Sequence, residues 1–384
     1  MQITNIEAIW LRVPAMGDTA EWGDDAFIVR IHTDNGLIGI GESDSCPAVL
    51  KAIIETPSSH STCKGLREIL LGENPLDIER LWRKMFEQTS YMGRRGAVIH
   101  AISAVDIALW DIAGKHFGVP VYQLLGGKLR DDIEAYGTFI PRDVPCENSE
   151  VAAGMVDAGL RLLKLGGGNF GIDPQHDHTV MRYVRDSVGP DVELAVDLVY
   201  RWKNFPNAKK QAEKLYEFDL AWIEEPIPAD DHIGLRRLSQ AISVNVSGGE
   251  CLATFAEFEE FVQETSPDII QPDITRCGGI TEMRRIYQLA TRHSCRLVPH
   301  GFSTGILLAA TSQFLASVPN GELIEYSNST SPLATGLVAN HLPLVNGRVT
   351  VSDAPGLGLV LNEDFISRYG VEMNFSGRML NGFR

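Results

Sequence analysis

Between residues 134 and 326 short apolar runs of strand character alternate with helical stretches, and this alternation constrains the fold more than any other feature of the chain. The runs are EAYGTFI, RLLKLG, VELAVD, LAWIE, VNVSGG, DIIQPD, CRLVPH and GELIEY. Helical stretches such as SEVAAGMVDAG, AKKQAEKLYEF, FAEFEEFVQE, ITEMRRIYQLATRH and TGILLAATSQFLAS lie between them. Parallel neighbours need a crossover helix, so eight strands and seven helices imply an α/β barrel with its functional residues at the carboxyl ends of the strands. Such a barrel takes about 250 residues, and a chain of 384 leaves room for a second domain.

Three runs end in an acid: Asp197 closes VELAVD, Glu224 closes LAWIE, and Glu250 closes VNVSGGE, at separations of 27 and 26 residues. One acid at a strand end serves equally as a solvated loop group or a helix cap. Three at one phase of successive repeats converge and repel one another unless a cation stands among them, which points to Mg²⁺ with oxygen ligands. Further strand ends carry Lys164, Asp273, His300 and Glu325. Strands six and seven are neighbours, so Asp273 can hydrogen-bond His300, fix its tautomer and raise its basicity. A cation facing a His–Asp base suits removal of a proton α to a carboxylate, because the dianionic enediolate needs positive charge on its oxygens.

With 34 basic and 50 acidic side chains the net charge is −16, which argues against nucleic acid and anionic membranes as partners. A small anionic substrate stays compatible, since a bound cation reverses the field inside a pocket. The six cysteines lack pairing spacing, which predicts reduced thiols and a cytoplasmic setting; Cys251 and Cys277, near the proposed site, read as small core residues. No secretory signal is expected, and no apolar run approaches the roughly 18 residues that would span a bilayer.

The first 43 residues read as a strand (NIEAIWLRV) and a hairpin (AFIVRIHTDNGLIGIGE) whose Asn35-Gly36 supplies two positive-φ turn residues. The polar connection PAMGDTAEWGDD is long enough to be a functional lid. Asn74-Pro75 predicts a helix start followed by Ile78, Leu81, Trp82, Met85 and Phe86 on one face. The stretch RRGAVIHAISAVDIALWDIAGKHF is apolar or small on nearly every side, so it is expected between two layers, ending at Gly118. Beyond Tyr326 the tail holds a second hairpin signal at Asn346-Gly347 and the apolar APGLGLVL; it is expected to pack back on the N-terminal domain.

Over essentially its full length the chain resembles the mandelate racemase/muconate lactonizing enzyme family of the enolase superfamily. AISAVDIALWDIAGKHFGVPVYQLLGG is similar to the family's helical signature, and the metal-ligand pattern matches at Asp197, at the first glutamate of WIEEP (Glu224) and at Glu250 of SGGE. IIQPDITRCGGIT and LVPHGF match the mandelate racemase-type dyad at Asp273 and His300, and Glu325 matches the glutamate that in mandelate racemase hydrogen-bonds the substrate carboxylate. Pairing a Lys or His base with Mg²⁺ is the known logic of enolase-superfamily sites. The resemblance implies a modified TIM barrel, (β/α)7β, over residues 128–326. It also implies an α+β capping domain from residues 1–127 and the returning segment 327–384, and a homo-oligomer.

Two departures shape the expected activity. Family members commonly carry Lys-x-Lys on the second strand, and here the pattern reads Lys164-Leu165-Gly166. A racemase needs a base on each side of the α-carbon, so loss of a β-leaving group with His300 as single base fits better. That describes a Mg²⁺-dependent lyase, an acid-sugar dehydratase for an aldonate or aldarate; the resemblance further implies R configuration at C2, with L-rhamnonate or L-lyxonate as examples. A racemase, epimerase or cycloisomerase of the same family and a non-catalytic metal-binding scaffold are the alternatives. Lys164 either neutralises the enediolate or pairs with an acid in the barrel. The second departure is Val199, where the family often has Asn, so the surroundings of Asp197 must be built differently. Tyr200, Arg201 and Asn169 either contact substrate hydroxyls or stay solvated, and His176 and His178 read as a solvated helix start.

Overall fold

The computed structural model describes residues 1–14 and 24–372; most of the expected lid lies in 15–23, outside the described residues. The N-terminal part forms an antiparallel sheet ordered β1 (Ile3–Arg12), β2 (Asp25–Thr33), β3 (Ile38–Ser43). The first hairpin departs from the two-residue expectation. Only Gly36 has positive φ (84°), and the Gly36 N–H donates to Thr33 O, so a wider turn forms in which Asn35 instead accepts from Thr33 Oγ1. The helix expected from Asn74 begins at Ile78, because the Asn74 side chain accepts the Leu76 N–H and holds Pro75-Leu76 in a turn outside it.

The helix Ala97–Phe117 is long and apolar enough, by length and hydropathy, to cross a membrane, which the sequence reading did not anticipate; 89% of that apolar window is buried inside the protein. One side packs on β3, where Gly39 and Gly41 remove the side chains that would hold the two apart. The other side packs on the helix Gly279–His293 of the barrel.

The barrel consists of β4 (Asp132–Phe139), β5 (Leu162–Gly166), β6 (Glu193–Asp197), β7 (Leu220–Glu224), β8 (Asn245–Gly248), β9 (Ile269–Ile270), β10 (Arg296–Leu297) and β11 (Leu323–Ser327). Parallel ladders run from β10 through β9, β8, β7, β6 and β5 to β4, and β11 pairs on the far side of β4. A helix follows each of the first seven strands, giving (β/α)7β. β9 and β10 are shorter than their apolar runs, since Pro272 and Pro299 offer no N–H to a ladder. Among the described residues no ladder joins β10 to β11; the Gly301 N–H donates instead to Glu325 Oε2 at 2.8 Å. Tyr136, Leu162, Ala195, Trp222, Ile269, Val298 and Leu323 fill the interior, with Tyr136 and Trp222 edge to face at 5.4 Å.

The tail serves both parts of the molecule. Its hairpin, β12 (Leu344–Val345) and β13 (Arg348–Thr350), turns at Asn346 and Gly347, both at positive φ, and pairs antiparallel with β4 rather than with the N-terminal sheet. Beyond it Leu357 N–H donates to Asp111, and Gly370 bridges Leu11 of β1.

A Cβ placed on Gly41 would lie 1.9 Å from the Ala104 carbonyl oxygen, with no flexible side chain to yield. Gly41→Ala is expected to lower unfolding stability in urea by roughly 3 kcal/mol, the upper part of the usual overpacking range; an unchanged midpoint would contradict this packing.

Candidate active site

Asp197 and Glu224 are register partners at the ends of β6 and β7. Glu250 joins them because Gly249, at φ 117°, turns the chain inward just after β8. All three are buried, and one oxygen of each lies within 4.8 Å of the other two. Burial, then the Glu224 and Glu250 carboxylates, push Asp197 well above the usual carboxylate range despite Lys164 nearby. Glu250 Oε2 is buried and makes no hydrogen bond among the described residues, its ion-pair partner being His300 Nε2 at 3.2 Å. Mutual repulsion, an oxygen without a hydrogen bond and a hard-oxygen donor set together fit a divalent cation.

The surroundings hold these ligands in place. Glu224 accepts from Lys164 Nζ (2.6 Å), Trp222 Nε1 (3.0 Å) and Gln271 Nε2 (2.6 Å). Asp197 Oδ1 accepts the Val199 N–H at 2.9 Å, and Val199 and Tyr200 both adopt positive φ (45° and 61°). A backbone amide thus supports Asp197 at the position where the resemblance leads one to expect an asparagine.

His300 Nδ1 lies 2.7 Å from Asp273 Oδ2, while Thr275 pins Asp273 Oδ1 through its N–H (2.7 Å) and hydroxyl (2.6 Å). The other ring nitrogen, Nε2, stands 3.2 Å from Glu250 Oε2, so the imidazole faces the carboxylate triad. Burial lowers the imidazole pKa, but the Glu250 charge, the Asp273 hydrogen bond and Glu325 outweigh it and raise His300 to about 10. Asp273 moves the other way: burial opposes ionisation, and the His300 hydrogen bond and Arg276 more than compensate.

Lys164 is fully buried between Glu224 (2.6 Å) and Glu325 (3.0 Å), pairing with acids as one of its two sequence readings had it. Burial alone would lower its pKa; the two carboxylates hold it well above the ordinary value. Glu325 also accepts from Thr138 Oγ1 at 2.5 Å. At Gly166 a Cβ would lie 2.4 Å from the Asp197 Cβ, so with Asp197 in this place there is no room for the second lysine.

Arg276 was not singled out from the sequence. Its Nη1 donates to Glu250 (3.1 Å) and its Nη2 to Asp44 of the N-terminal domain (2.5 Å), carrying contact from that domain into the barrel mouth. The signal was present as an arginine three residues beyond a strand-end aspartate, yet its reach depends on where the N-terminal domain docks. Two proposed hydroxyl contacts are used internally instead: Tyr200 donates to Glu225, and Arg201 binds the carbonyls of Gly167 and Phe170. Asn169 donates to Asp143 at 2.8 Å. His176 and His178 do lie at a helix start, where His178 contacts Glu217. Cys277 is buried as expected, but Cys251 is exposed.

Two cavities open beside the site. One, of about 220 Å³, is lined by Asp25, Asp44, Ser45 and Ser303; the other, of about 340 Å³, by Glu325, Ser303, Ser327 and Asn328. Hydroxyl and carboxylate groups share these walls with apolar side chains, among them Leu333 in the first and Leu307 and Leu308 in the second, a mixed lining that offers polar contacts to a hydroxylated ligand.

A cation on this triad binds the folded chain only. Mg²⁺ at about 100 times its dissociation constant is therefore expected to add about 2.7 kcal/mol of stability, reversed by EDTA and absent in Glu250→Gln. An unfolding midpoint indifferent to Mg²⁺ would exclude the metal centre.

Comparison with known proteins agrees with this geometry. Residues 13–126 match "Mandelate racemase / muconate lactonizing enzyme, N-terminal domain", and residues 147–365 match "Enolase C-terminal domain-like". The chain is 31% identical over 354 residues to D-galactarolactone cycloisomerase of Agrobacterium fabrum, covering 89% of this chain and 90% of that one. It is 32% identical over 347 residues to L-rhamnonate dehydratase of Saccharopolyspora erythraea, covering 88% and 83%. The crystal structure of the 3,6-anhydro-D-galactonate cycloisomerase from Zobellia galactanivorans superposes with a TM-score of 0.88 at 30% identity, covering 97% of this chain and all of that one. With both domains matched and its metal-type triad and His–Asp dyad assembled at the barrel mouth, the chain belongs to the mandelate racemase/muconate lactonizing enzyme family of the enolase superfamily.

Proposed function

We propose that the chain is a Mg²⁺-dependent acid-sugar dehydratase. The observation that carries this reading is a single His–Asp base facing a carboxylate triad, with glycine where a second lysine would stand. Asp197, Glu224 and Glu250 would hold the ion, which when bound supplies positive charge to stabilise a developing enediolate.

The protein's own residues account for the proton movements. The Glu250 charge, the largest of the influences that favour a protonated His300, would be offset by a cation on the triad, and Asp273 orients the ring. Nε2 then takes the C2 proton of an aldonate or aldarate. The electron pair released at C2 expels the C3 hydroxyl, which leaves as water with the proton returned by His300. The resulting enol tautomerises to a 2-keto-3-deoxy acid. Lys164 favours the ionised forms of Glu224 and Glu325, against burial, and holds both in place. Glu325 accepts hydrogen bonds here, so donating one to a substrate carboxylate would require it to carry a proton; burial favours that proton, but the Lys164 and His300 charges outweigh it and hold the carboxyl down at about 2.

Similarity to L-rhamnonate dehydratase supports the substrate class, with L-rhamnonate and L-lyxonate as examples. Six free thiols support a cytoplasmic setting, and a homo-oligomer is the assembly that family resemblance suggests. A second reading, cycloisomerisation, is favoured by the similarity to the two cycloisomerases.

Proton NMR in D₂O of the protein with Mg²⁺ and a panel of aldonic and aldaric acids separates the readings. Dehydration gives a deuterated C3 methylene and loss of one water, abolished by EDTA. Cycloisomerisation keeps every heavy atom and loses no water, and deuterium at an inverted C2 would reveal a second base. His300→Asn is expected to lose about 10³-fold in turnover, within the range for general acid–base catalysis. A folded, metal-binding His300→Asn protein with full turnover would reject the mechanism.

A further inference from the structure

We infer that Glu42, a buried carboxylate of the N-terminal domain, is a positioning residue for the loop that carries His300. This inference rests on the reading of His300 as the base. Glu42 lies on β3 and is completely buried. Its Oε1 accepts from Ser303 Oγ (2.7 Å) and Thr304 N–H (3.3 Å), and its Oε2 accepts from Thr304 Oγ1 (2.9 Å) and Leu307 N–H (2.8 Å). These donors begin three residues after His300 and continue into the helix Gly305–Ala316. The Leu307 N–H is one of the first-turn amides that a helix cannot satisfy itself, and Thr304 is the N-cap residue. A carboxylate from another domain therefore completes the cap at the positive end of the helix.

The stretch between His300 and the helix is thus held at two points. Gly301 is tied to Glu325 of the barrel, and Ser303-Thr304 are tied to Glu42 of the N-terminal domain. His300 stands at the head of this stretch, with its own side chain held by Asp273. Releasing the second tie frees the backbone from which the imidazole is aimed.

Docking alone does not call for an acid here. Among the described residues Glu42 has no ion-pair partner, and burial lifts its carboxyl to about 7 against the Ser303, Thr304 and Leu307 hydrogen bonds. An apolar residue would join two domains without that cost, so what the acid adds is the geometry of its four donors. The same arrangement recurs one repeat earlier. Asp106, on the helix Ala97–Phe117, accepts from Thr281 N–H (3.0 Å) and Thr281 Oγ1 (2.6 Å) at the start of the helix Gly279–His293, which follows the loop bearing Asp273 and Arg276. The N-terminal domain thereby grips the chain behind both members of the dyad.

The test uses full-length Mg²⁺-loaded protein with Glu42→Gln and Glu42→Leu, and Asp111→Asn as a control. Asp111 is a comparably buried acid that pairs with Lys115 and accepts the Ile40 and Leu357 amides, all partners outside residues 301–307. Hydrogen exchange of amides 301–307 and the His300 imidazole NMR signals are read with kcat and KM. The expected result is at least tenfold faster exchange at 301–307 and a shifted imidazole signal in Glu42→Leu. A fall in kcat of about ten- to a hundredfold with little change in KM should accompany it, as for a base held about an ångström out of place. Glu42→Gln should be milder because it keeps one acceptor oxygen, and Asp111→Asn should lose stability without these signatures. Parent-like exchange and imidazole signals in a folded Glu42→Leu would overturn the inference, as would loosened exchange with unchanged kcat. If no panel acid turns over, the dehydratase reading fails by itself, and exchange together with the imidazole signals still decides the role of Glu42.

Discussion

Mutual repulsion among buried carboxylates governs this molecule. Asp197, Glu224 and Glu250 are placed where none is well solvated, and the elements around them supply positive charge or hydrogen-bond donors. Lys164, Trp222 and Gln271 converge on Glu224, Val199 N–H supports Asp197, and Arg276 and His300 approach Glu250. The donors come from β5, β7 and the segments that follow β6, β9 and β10, so the barrel is the device that brings them together. The same repulsion explains why a cation suits the centre and why the dyad histidine retains a proton as long as Glu250 is charged.

A second theme is the use of buried acids to join the two parts of the chain. Glu42 and Asp106 reach helix N-termini of the barrel, Asp111 reaches the returning tail, and Asp44 meets Arg276 at the mouth. These contacts fall in one layer, with the helix Ala97–Phe117 as its apolar spine. The N-terminal domain is therefore coupled to the catalytic loops through directed hydrogen bonds as well as apolar burial.

Differences between sequence and structure have local physical causes. Asn74 holds a turn where its position before a proline suggested a helix start, because its side chain competes for the next free amide. Asn35-Gly36 forms a wider turn than Asn346-Gly347 despite the same pair of residues, since only the second pair has both residues at positive φ. The helix Ala97–Phe117 has the length and hydropathy of a membrane span, yet it lies between β3 and the helix Gly279–His293, the two-layer burial that its all-round apolar surface led one to expect. Tyr200 and Arg201 look available for a ligand in the sequence, but Tyr200 meets Glu225 through positive φ at both residues, which no residue pattern announces, and Arg201 meets the Phe170 carbonyl in a loop turned by Gly167, Gly168 and Gly171.

What the sequence determined by itself was the barrel and the set of acids and bases at its strand ends, because strand–helix alternation has a fixed period and puts residues of equal phase at one rim. The triad and the Asp273–His300 pair could be read for that reason, as could the missing second lysine. Only the tertiary structure decided which groups support them. Glu42, Asp44 and Arg276 matter through contacts across more than two hundred residues, and such contacts depend on how one domain seats on another. It also supplied the reason for Gly166: the space a side chain would take there is filled by Asp197 from the neighbouring strand.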